Sequence, residues 1–254
     1  MPEARLDRQL LAEYIGSALL AAVVIGSGIA AQHLSAGETG LELLENAAAT
    51  AAGLYALILV FLPVSGAHFN PIVSAVDAAL GGRNWRRAVA YMPAQVAGCV
   101  SGAVLANLMF SGPAVTISTR DRASGAHFLS EVVATAGLLL VIFALARTAR
   151  TATVAAAVGA YIGAAYFFCS STSFANPAIT IGRMFSNTFA GIAPSSAPAF
   201  ISAQILGGVV SFGTIKLLYP EVTTVPVPGD MPLQASTASS LASTAGPDGP
   251  VERL

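Results

Sequence analysis

Long apolar stretches with few charged residues dominate the hydrophobic pattern of this chain. One covers residues 10–31, where Glu13 is the only charged side chain, and others cover residues 88–110 and 127–146. A helix of about 20 apolar residues crosses the hydrocarbon core of a bilayer. Each of these stretches therefore predicts a transmembrane helix.

Three more regions lack Asp, Glu, Lys and Arg altogether: residues 46–76, 151–182 and 184–215. The first two are interrupted by polar segments that end in Asn70-Pro71 and Asn176-Pro177. Asparagine caps the free N–H groups of a helix start and proline suits the first helical position. Short helices are expected at residues 71–80 and 177–185, each about half a bilayer long. The chain is thus predicted to have six full spans and two half-length helices.

The two halves of the chain repeat one pattern. A glutamate near the start of a span is followed by Asn-Pro and then by Ala-Gln-x-x-Gly. The repeated residues are Glu13, Asn70 and Gln95 in the first half and Glu131, Asn176 and Gln204 in the second. Three spans per half is an odd number, so the second half must enter the membrane from the opposite side. This is an inverted repeat over residues 10–110 and 127–219, and its interrupted segments point to a pore.

The amino-acid composition and net charge exclude two classes of function. The 254 residues are 55% hydrophobic and 10% charged, with a net charge of −1, whereas soluble domains carry about 25% charged residues. A water-soluble enzyme and a nucleic-acid binder are excluded on this basis. The sequence has no catalytic set of nucleophile and base and no cofactor motif. Cys99 and Cys169 offer no metal-ligand spacing, so no enzyme activity, cofactor or metal is expected.

Cationic residues predict the orientation, because they favour the cytoplasmic side. With the N-terminus inside, nine of the 12 Lys and Arg residues lie on the cytoplasmic side and three lie outside: Arg120, Arg122 and Arg183. Residues 1–9 are then a cytoplasmic N-terminus and residues 10–219 a channel domain. Residues 220–254 are rich in Pro, Ser, Thr and Gly and are expected to be a disordered cytoplasmic tail.

From about residue 10 to 219, the chain resembles the aquaporin (major intrinsic protein) family. The resemblance rests on Ser-Gly-Ala-His-Phe-Asn-Pro ending at Pro71, on Asn-Pro-Ala ending at Ala178, and on the repeated Glu and Gln. It implies an all-α membrane protein: a right-handed bundle of six transmembrane helices with two re-entrant half-helices that meet at the centre. It also implies a homotetramer with one pore per protomer, in contact with the lipid bilayer.

The resemblance implies a role for the side chains and carbonyls of the re-entrant loops. Asn70 and Asn176 are expected to form the central constriction. Irregular backbone at membrane depth must line a cavity or be buried in protein. The expected pore carbonyls are those of Gly66, Ala67, His68, Thr172, Ser173 and Phe174. The expected anchors of the loops are Glu13, Glu131, Gln95 and Gln204, with the glutamines binding loop carbonyls.

The chain departs from the family pattern in both motifs. Ile72 replaces the alanine of the first motif and is expected to reshape one half of the constriction. In water channels and glycerol facilitators an arginine follows the second motif, but here that position is Ile179. Arg183, one turn later, is expected to face the external mouth or pack on a loop. Spacing from the motifs predicts a wide, uncharged selectivity filter: Thr50, Ala164, Ser173 and Ile179.

The segment around the second motif resembles bacterial aquaporin-like channels found with arsenic-resistance genes. We therefore expect a passive channel for small neutral solutes: arsenous acid and other metalloid hydroxides, or glycerol-like polyols with water. A water-selective aquaporin and a structural membrane protein with little flux are the alternatives. The Ala-rich, Lys-poor composition indicates a bacterial protein, which would lie in the inner membrane.

Overall fold

The structure, a computed structural model, describes residues 4–220. The predicted tail therefore lies outside the described residues, except for Pro220. Within the described range the chain forms eight α-helices and no strand. They are α1 (Leu6–Leu34), α2 (Thr39–Ser65), α3 (Pro71–Ala79), α4 (Trp85–Met109), α5 (Gly125–Arg147), α6 (Val154–Phe168), α7 (Pro177–Gly182) and α8 (Ala197–Leu218). Short 3₁₀ turns, Thr151–Thr153 and Arg183–Phe185, precede α6 and follow α7.

Six of the helices are long and apolar enough to cross a membrane, if the turn Thr151–Thr153 is counted with α6. The remaining two, α3 and α7, have nine and six residues and begin at the two Asn-Pro motifs. The predicted all-helical architecture of six spans and two half-helices is confirmed. The first span is longer than predicted, because α1 already begins at Leu6.

The two halves of the chain fold alike. In the first half α1 packs along α2 and α4, and in the second half α5 packs along α6 and α8. The contact between α2 and α6 joins the halves. Each half-helix also bridges them, since α3 contacts both α4 and α8, and α7 contacts both α8 and α4. The two re-entrant segments are therefore held in the middle of the bundle.

Small residues let the paired helices approach closely, as is common in membrane proteins. A Cβ atom at Gly98 or Gly102 of α4 would overlap the backbone of α1 at Tyr14 and Ala18. A Cβ at Gly207 of α8 would lie 2.6 Å from the Val132 carbonyl oxygen of α5. The equivalent helix pairs of the two halves thus depend on glycine at the same contact.

The six crossings give the bundle two membrane faces. We call the face that holds Arg5, the loop 80–84 and the end of α8 the terminal face, and the opposite one the distal face. The distal face carries the loops 110–124 and 186–196. The buried side chain of Arg122 ties these two loops together, because it donates to the carbonyl oxygens of Gly191 (2.8 Å) and Phe189 (3.0 Å).

Candidate pore and its constriction

A cavity of about 220 Å³ lies along the centre of the bundle. Its walls combine apolar side chains of α1, α2, α5 and α6 with both re-entrant loops and both motif asparagines. The loops and half-helices contribute polar side chains, among them Asn70, Ser173 and Asn176. The arrangement is that of a pore lined by the irregular backbone of two broken segments.

The two asparagines link the halves at the centre of this cavity. The side-chain oxygen of Asn70 accepts a hydrogen bond from Ile72 N at 2.9 Å and so caps α3. Its amide nitrogen donates to the Ala175 carbonyl oxygen at 2.7 Å. Asn176 caps α7 in the same way, and its amide nitrogen donates to the Phe69 carbonyl oxygen at 2.8 Å. Each amide group has two N–H bonds, and this link uses one of them.

The first re-entrant loop is held by the buried carboxylate of Glu13 in α1. It accepts hydrogen bonds from the backbone N–H groups of His68 (3.0 Å) and Phe69 (2.7 Å). The Ser65 hydroxyl (2.5 Å) and the Gln95 amide (2.8 Å) also donate to it. Four donors compensate for the burial of the charge, which is otherwise costly within a membrane.

The second loop is held by Glu131 of α5. This carboxylate accepts from the backbone N–H groups of Phe174 and Ala175, both at 2.9 Å, and from Gln204 at 2.7 Å. The bonded loop residues include positions in the left-handed region, with φ of 48° at Ala175 and 50° at Phe69. Non-glycine residues adopt this conformation only where the surroundings hold it. The two glutamates supply that support.

The two glutamines bind different groups from those expected. Gln95 donates to Glu13 and to the Ser74 hydroxyl (3.1 Å), and Gln204 donates to Glu131 and to the Thr180 hydroxyl (3.0 Å). Neither binds a loop carbonyl. Each instead joins the carboxylate to the half-helix that follows the loop, because Ser74 and Thr180 lie on α3 and α7.

Five of the six residues expected to supply pore carbonyls line the cavity: Gly66, Ala67, His68, Ser173 and Phe174. Thr172 is not among the lining residues, and its N–H bonds the Cys169 carbonyl. The imidazole of His68 is anchored, with Nδ1 at 3.0 Å from the Ser74 hydroxyl and Nε2 at 3.8 Å from an Asp77 carboxylate oxygen. Asp77, which sequence reasoning missed, also lines the cavity, between His68 and the terminal face.

The structure differs from the expected filter in one residue and in its charge. Thr50, Ser173 and Ile179 line the cavity, whereas Ala164 lies outside it and is exposed on the outer surface of α6. Tyr166 occupies the cavity wall instead, and its hydroxyl lies 3.1 Å from that of Thr50. A displacement of two positions turns a side chain by about 200° around a helix, so the spacing argument selected the wrong face of α6.

The cavity that three of the expected filter residues line also carries a positive charge, whereas an uncharged filter was expected. Arg183 lines the cavity and is 2% exposed, and its guanidinium carbon lies 3.4 Å from the centre of the Phe174 ring. Its Nε donates to the Ala190 carbonyl oxygen of the distal loop 186–196. The side chain thus packs on a loop, as expected, and also brings a positive charge to the distal part of the pore.

Ile72 does not reshape the constriction. Its side chain lies in a cluster with Val73, Val76 and Leu139, and it is not among the residues that line the central cavity. It points towards α8, where a Cβ at Gly208 would lie 2.8 Å from Ile72 Cγ2. The larger residue of this motif is therefore accommodated by a glycine on the neighbouring helix. Cys169 is buried and does not line the cavity either.

Comparison with known proteins agrees with this geometry. The sequence model of the family described as major intrinsic protein matches residues 2–173. Aquaglyceroporin AqpS of Rhizobium meliloti (strain 1021) is 46% identical over 218 residues, covering 86% of this chain and 93% of the relative. Aquaporin NIP6-1 of Arabidopsis thaliana is 30% identical over 236 residues, covering 89% of this chain and 73% of the relative.

A solved structure shows the same fold. The aquaglyceroporin from Plasmodium falciparum superposes with a TM-score of 0.66 at 21% sequence identity, covering 84% of this chain and 96% of that one. The match of the family model over most of the chain, the AqpS relative and the paired Asn-Pro half-helices lead to one conclusion. This chain belongs to the major intrinsic protein family and is a membrane channel, not an enzyme.

Proposed function

We propose that the chain is a passive channel for water and small neutral polyhydroxy solutes, namely glycerol-like polyols and undissociated arsenous acid with related metalloid hydroxides. The observation that carries the proposal is the Ser173 hydroxyl. It is buried, it lines the cavity, and its oxygen has no hydrogen-bond partner among the described residues. A buried hydroxyl without a partner loses free energy unless a water or solute binds it.

We propose that the cavity wall around Ser173 is the selectivity filter. This wall suits a molecule with both a polar and an apolar side. Hydroxyls of Thr50, Tyr166 and Ser173 share the wall with the aliphatic side chains of Leu20 and Ile179. A polyol can donate and accept hydrogen bonds on the hydroxyl side while its carbon side contacts the aliphatic groups. Arsenous acid, a neutral trihydroxide of about glycerol's size, presents the same hydroxyl pattern. The names of two relatives, the aquaglyceroporin AqpS and a probable glycerol uptake facilitator of Thermotoga maritima, support glycerol-like solutes.

The positive electrostatic potential in the pore favours neutral solutes over cations. Both half-helices begin at the central asparagines, and each helix N-terminus carries the equivalent of about +0.5 charge. Arg183 adds a full positive charge on the distal side of them. Cations are therefore repelled both at the half-helix N-termini and at Arg183, while a neutral solute interacts through hydrogen bonds alone.

Stopped-flow light scattering on proteoliposomes tests the proposal, with glycerol, arsenous acid and a sucrose gradient for water, each against empty liposomes. The wild-type chain should pass all three. Ile179→Arg should narrow the filter and slow glycerol and arsenous acid at least severalfold. Ala164→Leu, which changes the outward-facing position, is the matched control and should leave all three fluxes unchanged.

Two results would reject the proposed solutes. Passage of water alone would favour a water-selective aquaporin, and flux no greater than in empty liposomes would favour a structural protein. If Ala164→Leu slowed glycerol as strongly as Ile179→Arg, the corrected filter would be wrong.

We also propose that the channel is a homotetramer in a bacterial inner membrane, with both termini in the cytoplasm. The excess of Lys and Arg on the terminal face, against Arg120, Arg122 and Arg183 on the distal face, supports the orientation. Fusion of alkaline phosphatase or a green fluorescent protein to the C-terminus tests it. Only the fluorescent fusion should be active, and an active phosphatase would reverse the orientation. Light scattering of the detergent-purified channel should give the mass of four chains.

A further inference from the structure

A second cavity, of about 270 Å³, lies on the outer surface of the bundle, between α3, the start of α4 and α8. Its walls are apolar side chains. Those that shape it are Ile72, Val76, Trp85, Ile205, Val209 and Phe212. Trp85 is 53% exposed and Val209 is 63% exposed, so the cavity is a groove open to the surroundings of the protein. We call it the α3–α8 groove.

The groove has the width of one lipid chain. From Ile205 to Phe212, the first and last of its wall residues on α8, the helix rises about 10 Å, or about a third of the roughly 30 Å hydrocarbon core. A volume of about 270 Å³ over that length gives a cross-section of roughly 26 Å², far less than that of a helix about 10 Å across. A helix of a second copy does not fit, whereas a single hydrocarbon chain does.

Two cations adjoin wall residues of the groove on its terminal side: Lys216 contacts one in space and Arg86 follows one in the chain. Lys216 Nζ lies 4.7 Å from the centre of the Phe212 ring, which forms part of the wall. Arg86 is exposed and follows Trp85, which forms the wall at the start of α4. Within the part of the chain that the structure describes, neither side chain forms an ion pair. An apolar groove that adjoins two exposed cations complements a lipid with an anionic headgroup.

We propose that the α3–α8 groove binds one acyl chain of an anionic phospholipid, whose phosphate is held by Arg86 and Lys216. The chain lies along α8 and contacts Ile72 and Val76 on the outer side of α3. The half-helix that begins at Asn70 is thereby packed on its outer side by lipid. The site is separate from the pore, and its binding does not depend on which solute the channel passes.

The single tryptophan of the chain makes the groove directly measurable, because Trp85 is part of its wall. The full-length protein is placed in liposomes that contain dibrominated phosphatidylglycerol or dibrominated phosphatidylcholine at equal mole fractions. Bromine quenches tryptophan fluorescence on contact. The anionic lipid should quench Trp85 more strongly than the neutral one, and the ratio gives the preference of the groove for the anionic lipid.

Charge and groove variants separate a specific site from general attraction. A cation near an anionic lipid surface strengthens binding roughly fivefold, so Lys216→Gln and Arg86→Gln should each lower the preference by about that factor. Arg150→Gln, an exposed cation elsewhere on the terminal face, should leave it unchanged. Val209→Phe should fill the groove and lower the preference, whereas Val210→Phe, outside the groove on the same helix, should not.

Several outcomes would overturn the proposal. Equal quenching of the wild type by both lipids would show that the site has no preference for an anionic headgroup. An equal loss in Arg150→Gln and Lys216→Gln would reduce the effect to diffuse attraction by the terminal face. An unchanged preference in Val209→Phe would show that no acyl chain occupies the groove.

Discussion

The side-chain amide of Asn70 donates a hydrogen bond to the Ala175 carbonyl oxygen, 2.7 Å away and 105 positions later in the chain. The reciprocal bond from Asn176 to Phe69 closes a symmetrical link between the two re-entrant loops. The constriction is therefore one hydrogen-bonded unit made by both halves. Its position depends on both loops at once.

Two substitutions at Asn70 separate its two roles. Serine can still cap α3 but cannot reach Ala175, so Asn70→Ser should lose only the bond between the halves, about 1 kcal/mol. Asn70→Ala loses the cap as well and should cost about 1 kcal/mol more. Thermal unfolding in detergent measures the difference. Equal unfolding midpoints for the two variants would contradict separate roles of Asn70 as the cap of α3 and as the link to Ala175.

Glu13→Gln is expected to destabilise the first loop strongly. Both carboxylate oxygens accept hydrogen bonds, whereas a glutamine would turn an amide N–H group towards another donor at Phe69 or His68. Leaving buried donors unsatisfied costs roughly 1–3 kcal/mol each. Hydrogen exchange at the Phe69 amide should accelerate and the midpoint of unfolding should fall. Glu38→Gln, at the exposed start of α2, is the control and should change neither.

Replacing a glycine at a helix contact should lower the stability of the protein, whereas replacing a glycine in open space should not. Gly102→Ala would place a methyl group into the backbone of α1 at Ala18 and should lower the unfolding temperature markedly. Gly213 lies in α8 with nothing within 4 Å of an added Cβ. Gly213→Ala should therefore stabilise the protein by about 0.5–1 kcal/mol through helix propensity. Similar effects of the two changes would contradict the close approach of α1 and α4.

Arg183→Gln should weaken the exclusion of cations. A guanidinium about 6 Å from a passing cation contributes about 1.4 kcal/mol of repulsion at an effective dielectric constant near 40, or roughly tenfold in rate. Proton leak into liposomes, followed with a pH-sensitive dye under a valinomycin-set potential, should rise by about that factor. Arg120→Gln removes an exposed charge that does not line the cavity and should leave the leak unchanged. A leak equal to wild type in Arg183→Gln would contradict the role of this charge.

The local stability of the distal loop 110–124 should fall in acid. The Asp121 carboxylate accepts hydrogen bonds from the Ser196 hydroxyl (2.6 Å) and Ala123 N (2.9 Å), and these lower its pKa below the ordinary value. Because the folded-state pKa is the lower one, this contribution is present above the ordinary value and is lost as pH falls through the lowered pKa. The protection of the Ala123 amide against hydrogen exchange, taken relative to the intrinsic exchange rate at each pH, should therefore fall at low pH. Asp121→Asn should remove this pH dependence, and Asp7→Asn should preserve it.

The architecture of this channel follows from its amino-acid sequence. Charge-free stretches of sufficient length require membrane crossings, and Asn-Pro after a polar break requires a helix that starts inside the bilayer. Glu13 and Glu131 were also predictable as anchors of the loops, because a carboxylate within a span needs donors and the loops have free N–H groups.

Which side chains face the pore depends instead on how the helices and loops pack together. On a helix, neighbouring positions differ in direction by about 100°, so a spacing error of one or two residues changes the face completely. This is why Tyr166 replaces Ala164 in the cavity wall. Ile72 turns away because Gly208 leaves room for it on α8, and Arg183 reaches the cavity because Phe174 and Ala190 hold it there. Each of these partners lies far away in sequence or on another element, so local pattern cannot reveal it.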